Sequence, residues 1–214
     1  MIDGKPDYRF KVVVIGAAGS GKTAMVERLV RKEFSEKQKT TVGVEFNPFK
    51  VCVNDFIVQL DLWDTAGQEN YKAIAKSYFR EAVGCVLVYD ITSQKSFDEL
   101  GFWLNQFREL ADPQAFIILV GNKSDLESQR VISSDWATEF AEKQFLQYFE
   151  TSALTAQNIS EVFQTLCHTV FDRVRSGAIK STLLTDESKK EKKSQSVNLD
   201  DQYSIMNNSA FCAC

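Results

Sequence analysis

Apolar residues along this 214-residue chain fall into short unbroken runs, separated by stretches that repeat every three to four positions. Val12-Val13-Val14-Ile15, Cys85-Val86-Leu87-Val88-Tyr89 and Phe116-Ile117-Ile118-Leu119-Val120 are apolar at every position, the pattern of strands covered on both faces. Residues 22–30 place Met25, Val26, Leu29 and Val30 at helical spacing, and residues 96–110 do the same with Phe97, Leu100, Leu104 and Phe107, Trp103 lying beside them. Residues 135–143 read as a short helix capped by Ser133 or Ser134. A last helix carries Ile159, Val162, Phe163, Leu166, Val170 and Val174, starting at an Asn158 cap and stopping before Gly177.

Residues 44–53 alternate Val44, Phe46, Val51 and Val53 with polar neighbours, and residues 56–63 follow directly after the turn pair Asn54-Asp55. Two strands joined this tightly pair antiparallel. Residues 147–151 supply a short sixth strand, whereas 33–40 lack periodicity and read as a loop, and 64–80 are mixed. The pattern predicts an α/β fold: a six-stranded, mainly parallel sheet with one antiparallel strand and helices on both faces. Such sheets bind ligands at the carboxyl ends of their strands.

Length favours one globular unit with a tail. Residues 1–7 form an N-terminal extension and 8–177 the folded domain; residues 178–214 are rich in Ser, Lys, Asp, Glu, Gln and Asn without a period, which predicts a disordered tether. A net charge of −4 and a pI near 5.2 argue against nucleic acid as a partner. No apolar run approaches the roughly 20 residues that span a bilayer, so a cytosolic protein is expected. Of five cysteines, Cys52, Cys85 and Cys167 sit inside apolar patterns and read as reduced core residues, and the single histidine, His168, reads as a surface or core-edge residue.

The chemistry concentrates in three short segments, each at a strand end. Gly16-Ala17-Ala18-Gly19-Ser20-Gly21-Lys22-Thr23 satisfies G-x-x-x-x-G-K-[ST] between a strand and a helix. There the backbone N–H groups and the helix N-terminus gather around an anion; Lys22 would meet the outer phosphates and the Thr23 hydroxyl a magnesium ion. Asp64-Thr65-Ala66-Gly67-Gln68-Glu69 adds a carboxylate suited to holding that magnesium through water. In the same segment Gly67 allows close approach of backbone to phosphate, and the Gln68 amide is suited to orienting an attacking water. In Asn122-Lys123-Ser124-Asp125, the Asp125 carboxylate can accept from two adjacent donors, as guanine N1–H and N2–H₂ present and adenine does not. Asn122 can brace that loop, and the Lys123 stem can lie along a ring face.

Together these segments, with Thr41-Val42-Gly43-Val44-Glu45-Phe46, Leu87-Val88-Tyr89-Asp90-Ile91-Thr92 and Glu150-Thr151-Ser152-Ala153, resemble the small GTPases of the Ras superfamily, and within them the Rab family. The resemblance runs from about Tyr8 to Ser176 and returns at the last three residues. It implies the P-loop small G domain fold, GTP or GDP with Mg²⁺ as ligands, and slow GTP hydrolysis unless a partner assists. It further implies that Gly16, Ala18, Gly19, Ser20, Gly21, Lys22, Thr23 and Ala24 surround the phosphates, that Thr41 joins Thr23 and Asp64 at magnesium, and that Gln68 and Lys22 are catalytic. Phe34 would pack on guanine, and Ser152 and Ala153 would complete the base site, Ala153 through its backbone N–H.

Expected partners are a nucleotide exchange factor, a GTPase-activating protein, a GDP dissociation inhibitor or Rab escort protein, and effectors that read Phe46, Trp63 and Tyr78. The Cys212-Ala213-Cys214 ending resembles the Rab C-x-C motif, whose thiols carry prenyl groups, placing the protein on the cytoplasmic face of an intracellular membrane, cycling with the cytosol. Lys189-Lys190 and Lys192-Lys193 are offset in the tail by Asp186, Glu187, Glu191, Asp200 and Asp201, so lipids rather than charge would hold the membrane. Two departures stand out: Ala18, where Rabs usually carry serine, and Asn70, where they usually carry arginine. Ala18 raises the alternative of a GTP-binding scaffold with little hydrolysis. A P-loop kinase is a third class, disfavoured by the Asn122–Asp125 segment.

Overall fold

A computed structural model describes residues 2, 4–35, 41–67 and 77–179. The predicted sheet is present: β1 (Tyr8–Ile15), β2 (Val44–Val53), β3 (Phe56–Thr65), β4 (Gly84–Asp90), β5 (Phe116–Asn122) and β6 (Gln147–Thr151) lie in the order β2-β3-β1-β4-β5-β6. Only the β2–β3 pair is antiparallel. β2 is an edge strand, which is how Pro48 is accommodated in its middle: the missing N–H faces no neighbour that needs it.

The helices are α1 (Lys22–Arg31), α2 (Gln94–Asp98), α3 (Leu100–Leu110), α4 (Ser134–Lys143) and α5 (Ile159–Arg175). The central strands are apolar at every position because they feed two cores. Val12 and Val14 of β1, Val86 and Val88 of β4, and Ile118 and Val120 of β5 pack with α1 and α5. The intervening Val13, Ile15, Cys85, Leu87, Ile117 and Leu119 pack with α2, α3 and α4 on the other face.

Several boundaries differ from the sequence pattern. β1 begins at Tyr8, because Tyr8 and Phe10 are buried while Arg9 is exposed, an alternation that resembles a polar stretch when counted by composition. The helix expected over 96–110 is two: Ser93 caps α2 by accepting from Ser96 N–H, and Glu99 joins α2 to α3. Cys85 and Cys167 are buried as expected, but Cys52 is exposed, since its neighbours Val51 and Val53 take the inward positions of β2. His168 is exposed on α5. Past α5 the chain stays packed, with Ile179 fully buried in the core.

Chain order places the site. From β1 the chain moves through the β2–β3 hairpin on one side and then crosses to β4 on the other. The carboxyl end of β1 is therefore the point where the sheet changes direction, and a crevice opens there.

Phe163 is fully buried on α5. Phe163→Ala is expected to lower unfolding free energy by about 3–5 kcal/mol in denaturant titration, from lost transfer energy plus a cavity, whereas His168→Ala on the same helix should stay within about 0.5 kcal/mol.

Candidate functional site

The loop from Gly16 to Gly21 wraps the end of the Lys22 side chain. The Nζ atom donates to the Gly16 carbonyl at 3.0 Å and the Ala17 carbonyl at 2.8 Å, and the residue is 5% exposed. Ser20 closes the turn by donating its hydroxyl to the Ala17 carbonyl. Gly21 takes a φ of +87, and a Cβ there would strike the Asn122 side-chain amide, so two constraints meet at this one residue. Burial lowers the Lys22 ammonium from its ordinary value to about 8, against the opposing pull of Asp64.

Asp64 lies at the end of β3, beside Val14 of β1, and is fully buried. Its Oδ2 accepts from the Thr23 hydroxyl at 2.5 Å, and the hydroxyls of Thr23 and Thr41 lie 2.7 Å apart. The other carboxylate oxygen, Oδ1, is buried with no hydrogen-bond partner among the described residues. Burial raises this carboxyl to about 6, even though the Thr23 hydrogen bond and Lys22 both act to lower it. Thr65 is held by donating its hydroxyl to the Val14 carbonyl at 2.9 Å. Gly67 arches back over the loop so closely that a Cβ would meet the Ala17 and Ala18 backbone and, at 2.6 Å, Lys22 Nζ.

Beside the glycine-rich loop, Asn122 donates from Nδ2 to the Ser20 carbonyl at 2.9 Å and accepts from the Thr151 hydroxyl at 3.1 Å. One amide thus ties β5, β6 and the glycine-rich loop together. Lys123, in the left-handed region with φ +69, anchors its ammonium on Asp90 Oδ2 at 2.5 Å. Asp90 Oδ1 is occupied by the Thr92 N–H and hydroxyl. Asp125 Oδ1 accepts from the Ser152 hydroxyl at 2.5 Å, and Ser152 in turn accepts from Thr155 N–H. Arg28 of α1 reaches the same loop: Nε donates to the Ala153 carbonyl and Nη2 to the Leu154 carbonyl, each at 2.7 Å.

These elements enclose a cavity of about 420 Å³. Of the residues singled out from sequence, Ala18, Gly19, Gly21, Lys22, Thr23, Ala24, Phe34, Thr41, Gly67, Asn122, Lys123, Asp125 and Ala153 line it. Gly16, Ser20, Asp64 and Ser152 stand behind the lining as its supports. Gln68, Asn70, Cys212 and Cys214 lie outside the described residues. The lining also includes Ser35, Thr65, Leu126 and Leu154, each a chain neighbour of a predicted residue. Arg28 carries no motif of its own, and Asp90, though part of segment 87–92, has no role that the sequence pattern assigns to it; their contacts, across 125 and 33 residues, arise only on folding.

Outside the cavity, Phe46, Trp63 and Tyr78 form a contiguous aromatic strip. The Phe46 and Trp63 rings are 5.1 Å apart and the Trp63 and Tyr78 rings 5.0 Å, with Phe46 46% exposed.

A sequence profile described as the Ras family matches residues 11–172. The chain is 46% identical over 171 residues to Ras-related protein RABA4b of Arabidopsis thaliana, covering 80% of this chain and 76% of that one. It is 46% identical over 165 residues to GTP-binding protein ypt3 of Schizosaccharomyces pombe, covering 77% of each. Against Ras-related protein Rab11E of Lotus japonicus, 36% identity extends over 211 residues, 99% of this chain and 97% of that one. With the strand order, the loop around Lys22 and the Asn122–Asp125 segment already in place, these likenesses show that the chain belongs to the Ras family, as a Rab-type small GTPase and hence a GTP hydrolase.

Proposed function

We propose that this chain is a membrane-tethered GTP switch of vesicle traffic whose nucleotide lies along the 420 Å³ cavity, phosphates on the Lys22 loop and guanine against Asp125. The observation that carries this reading is the cavity's lining: the glycine-rich loop with its buried Lys22 ammonium and the Asp125 carboxylate with the Phe34 ring line one crevice. Guanine N1–H and N2–H₂ find their two acceptors in the Asp125 carboxylate, which the Ser152 hydroxyl orients by donating to Oδ1. Phe34 and the Lys123 stem flank the ring, the latter stretched toward Asp90. Ala153 offers its N–H to the base oxygen.

Magnesium fits the residues present. Thr23 and Thr41 supply hydroxyl oxygens beside Asp64, whose buried Oδ1 lacks a partner, and an all-oxygen set of this kind suits a hard cation. When bound, magnesium neutralises charge on the phosphate oxygens. The rest falls to the protein: Lys22 stands beside the outer phosphates, Thr41 and Gly67 bring their N–H groups to the terminal one, and Gln68 orients the attacking water.

Hydrolysis without help is slow on this reading, because no arginine lines the cavity among the described residues and the developing charge needs one from a partner. Ala18 sharpens the point. It is exposed beside Gly67, where a Cβ would meet the Ala18 backbone nitrogen; on this reading a methyl group at this position crowds the room that Gln68 and an entering arginine need. That position favours a second reading, a GTP-binding scaffold that scarcely turns over. Among the described residues no helix is long and apolar enough to cross a membrane. Attachment is assigned to prenyl groups on Cys212 and Cys214. The aromatic strip of Phe46, Trp63 and Tyr78 is the effector surface; exchange factor, activating protein and GDP dissociation inhibitor or escort protein act on the segments that carry Thr41 and Gly67 and on the tail.

Asp125→Asn presents a donor where guanine also donates. In competition calorimetry its GDP affinity should fall by about fivefold to about 150-fold, with xanthosine diphosphate gaining, since a matched bidentate pair is worth about 1–3 kcal/mol. Single-turnover phosphate release should be slow in the wild-type protein, accelerate with an activating partner, and stay slow in Gln68→Leu; a wild-type rate that no partner raises above Gln68→Leu selects the scaffold. In cell fractionation, Cys212→Ser/Cys214→Ser should move the protein from membranes to the soluble fraction, and unchanged membrane association would refute the lipid anchor.

A further inference from the structure

Arg28 is a half-buried residue of α1 that belongs to none of the motifs above. Among the described residues its guanidinium donates to carbonyl oxygens alone: Ala153 at 2.7 Å, Leu154 at 2.7 Å and Lys32 at 3.1 Å. Its Cζ also lies 5.7 Å from the centre of the Phe34 ring. Lys32 is the left-handed residue that ends α1, two positions before Phe34. One planar cation therefore holds two segments that are 125 residues apart in the chain, and both segments supply walls to the base end of the cavity: Phe34 on one side, Ala153 and Leu154 on the other.

The geometry of the contact matters more than its charge. Nε and Nη2 form one edge of the guanidinium fork, and that edge grips two consecutive carbonyls. A trans peptide sets its N–H opposite its C=O. Fixing the Ala153 carbonyl on Arg28 therefore aims the Leu154 N–H away from Arg28. The remaining Nη1 and the guanidinium face steady the α1 terminus and the Phe34 ring from behind. A lysine ammonium is a compact point charge without the planar fork, so it cannot span the Ala153–Leu154 carbonyls and the Lys32 carbonyl together while facing Phe34.

Resting on the reading of this cavity as a guanine nucleotide site, we propose that Arg28 is a positioning residue for the base: it touches no ligand, but sets Phe34 and the Ala153–Leu154 loop at the separation that guanine requires, and so slows nucleotide release. The phosphate end is outside its reach. Loss of Arg28 should loosen the base while leaving the phosphates held as before, a separation that a general weakening of the domain would not produce.

The test uses the full chain loaded with a fluorescent GDP analogue in saturating magnesium, chased with excess GDP, together with ³¹P NMR of bound GDP. Arg28→Gln should release nucleotide on the order of tenfold faster, as expected for losing charge-assisted hydrogen bonds, with the ³¹P resonances at their wild-type positions. Arg28→Lys should fall between the two, and Phe34→Leu, which removes the ring that Arg28 supports, should also release faster. Wild-type release from Arg28→Gln, or faster release accompanied by displaced ³¹P resonances, overturns the proposal. Should Arg28→Gln not fold, wild-type release from Arg28→Lys overturns it. Failure of the wild-type protein to take up GDP overturns the reading of the cavity and this proposal with it, whereas tight wild-type binding beside an unaltered Arg28→Gln overturns this proposal alone.

Discussion

Lys22 and Asp64 are opposite charges withdrawn from water at the tip of the sheet, and the rest of the site is arranged around that fact. Burial dominates both: the ammonium is pulled down to about 8 and the carboxyl up to about 6, each toward its neutral form despite the attraction between them. The loop carbonyls satisfy Lys22 as a hydrogen-bond donor but bring only partial charges to balance a full one. Among the described residues, one buried oxygen of Asp64 has no partner. An anion would relieve the first condition and a hard cation the second, which is what the proposed reading of magnesium with a polyphosphate supplies. A neutral ligand would leave the two charges only each other for compensation.

Such a pair can exist only where the fold brings distant segments to one place. Asp64 ends β3, Thr23 opens α1, and Thr41 belongs to the segment that leads into β2. β1 joins them, pairing with β3 on one side and β4 on the other, at the point where the chain changes direction across the sheet. The two cores make this placement rigid. Residues of β1 alternate between the α1–α5 layer and the α2–α3–α4 layer, so a one-residue slip would exchange the contents of both.

The parts that sequence made legible are those in which one local pattern has one physical meaning. Runs apolar at every position mean strands covered twice, and the glycine spacing around Lys22 means a loop that turns its amides inward. What escaped depends on context that a local pattern lacks. Tyr8 and Phe10 alternate with Arg9 and Lys11, so composition hid the first half of β1. Cys52 stands in an apolar stretch, yet strand alternation turns it outward between Val51 and Val53. The break at Glu99 leaves the helical period nearly intact, and only the Ser93 cap hints that the first piece is separate. Asp90 and Arg28 could not be singled out as site residues by spacing, because their partners are far away in sequence and meet them only in the folded chain.

The same sheet suggests how occupancy of the cavity would be felt outside it. Ala66 N–H donates to the Gly43 carbonyl at 2.9 Å, a backbone bond that continues the β2–β3 ladder beyond Val44↔Thr65. Gly43 lies two residues from Thr41, and Ala66 one from Gly67. On the proposed reading a terminal phosphate holds Thr41 and Gly67 together, and so clamps the open end of this ladder from both strands at once. Its loss removes both constraints in one step, and an antiparallel pair frays from its unsupported end. Phe46 and Trp63 face each other two positions further in, on the side of the ladder that Val44 and Thr65 occupy. The aromatic strip therefore stands next in line to register what happens at the phosphate, which places a reader of nucleotide state on the outer face of β2 and β3 rather than at the mouth of the cavity.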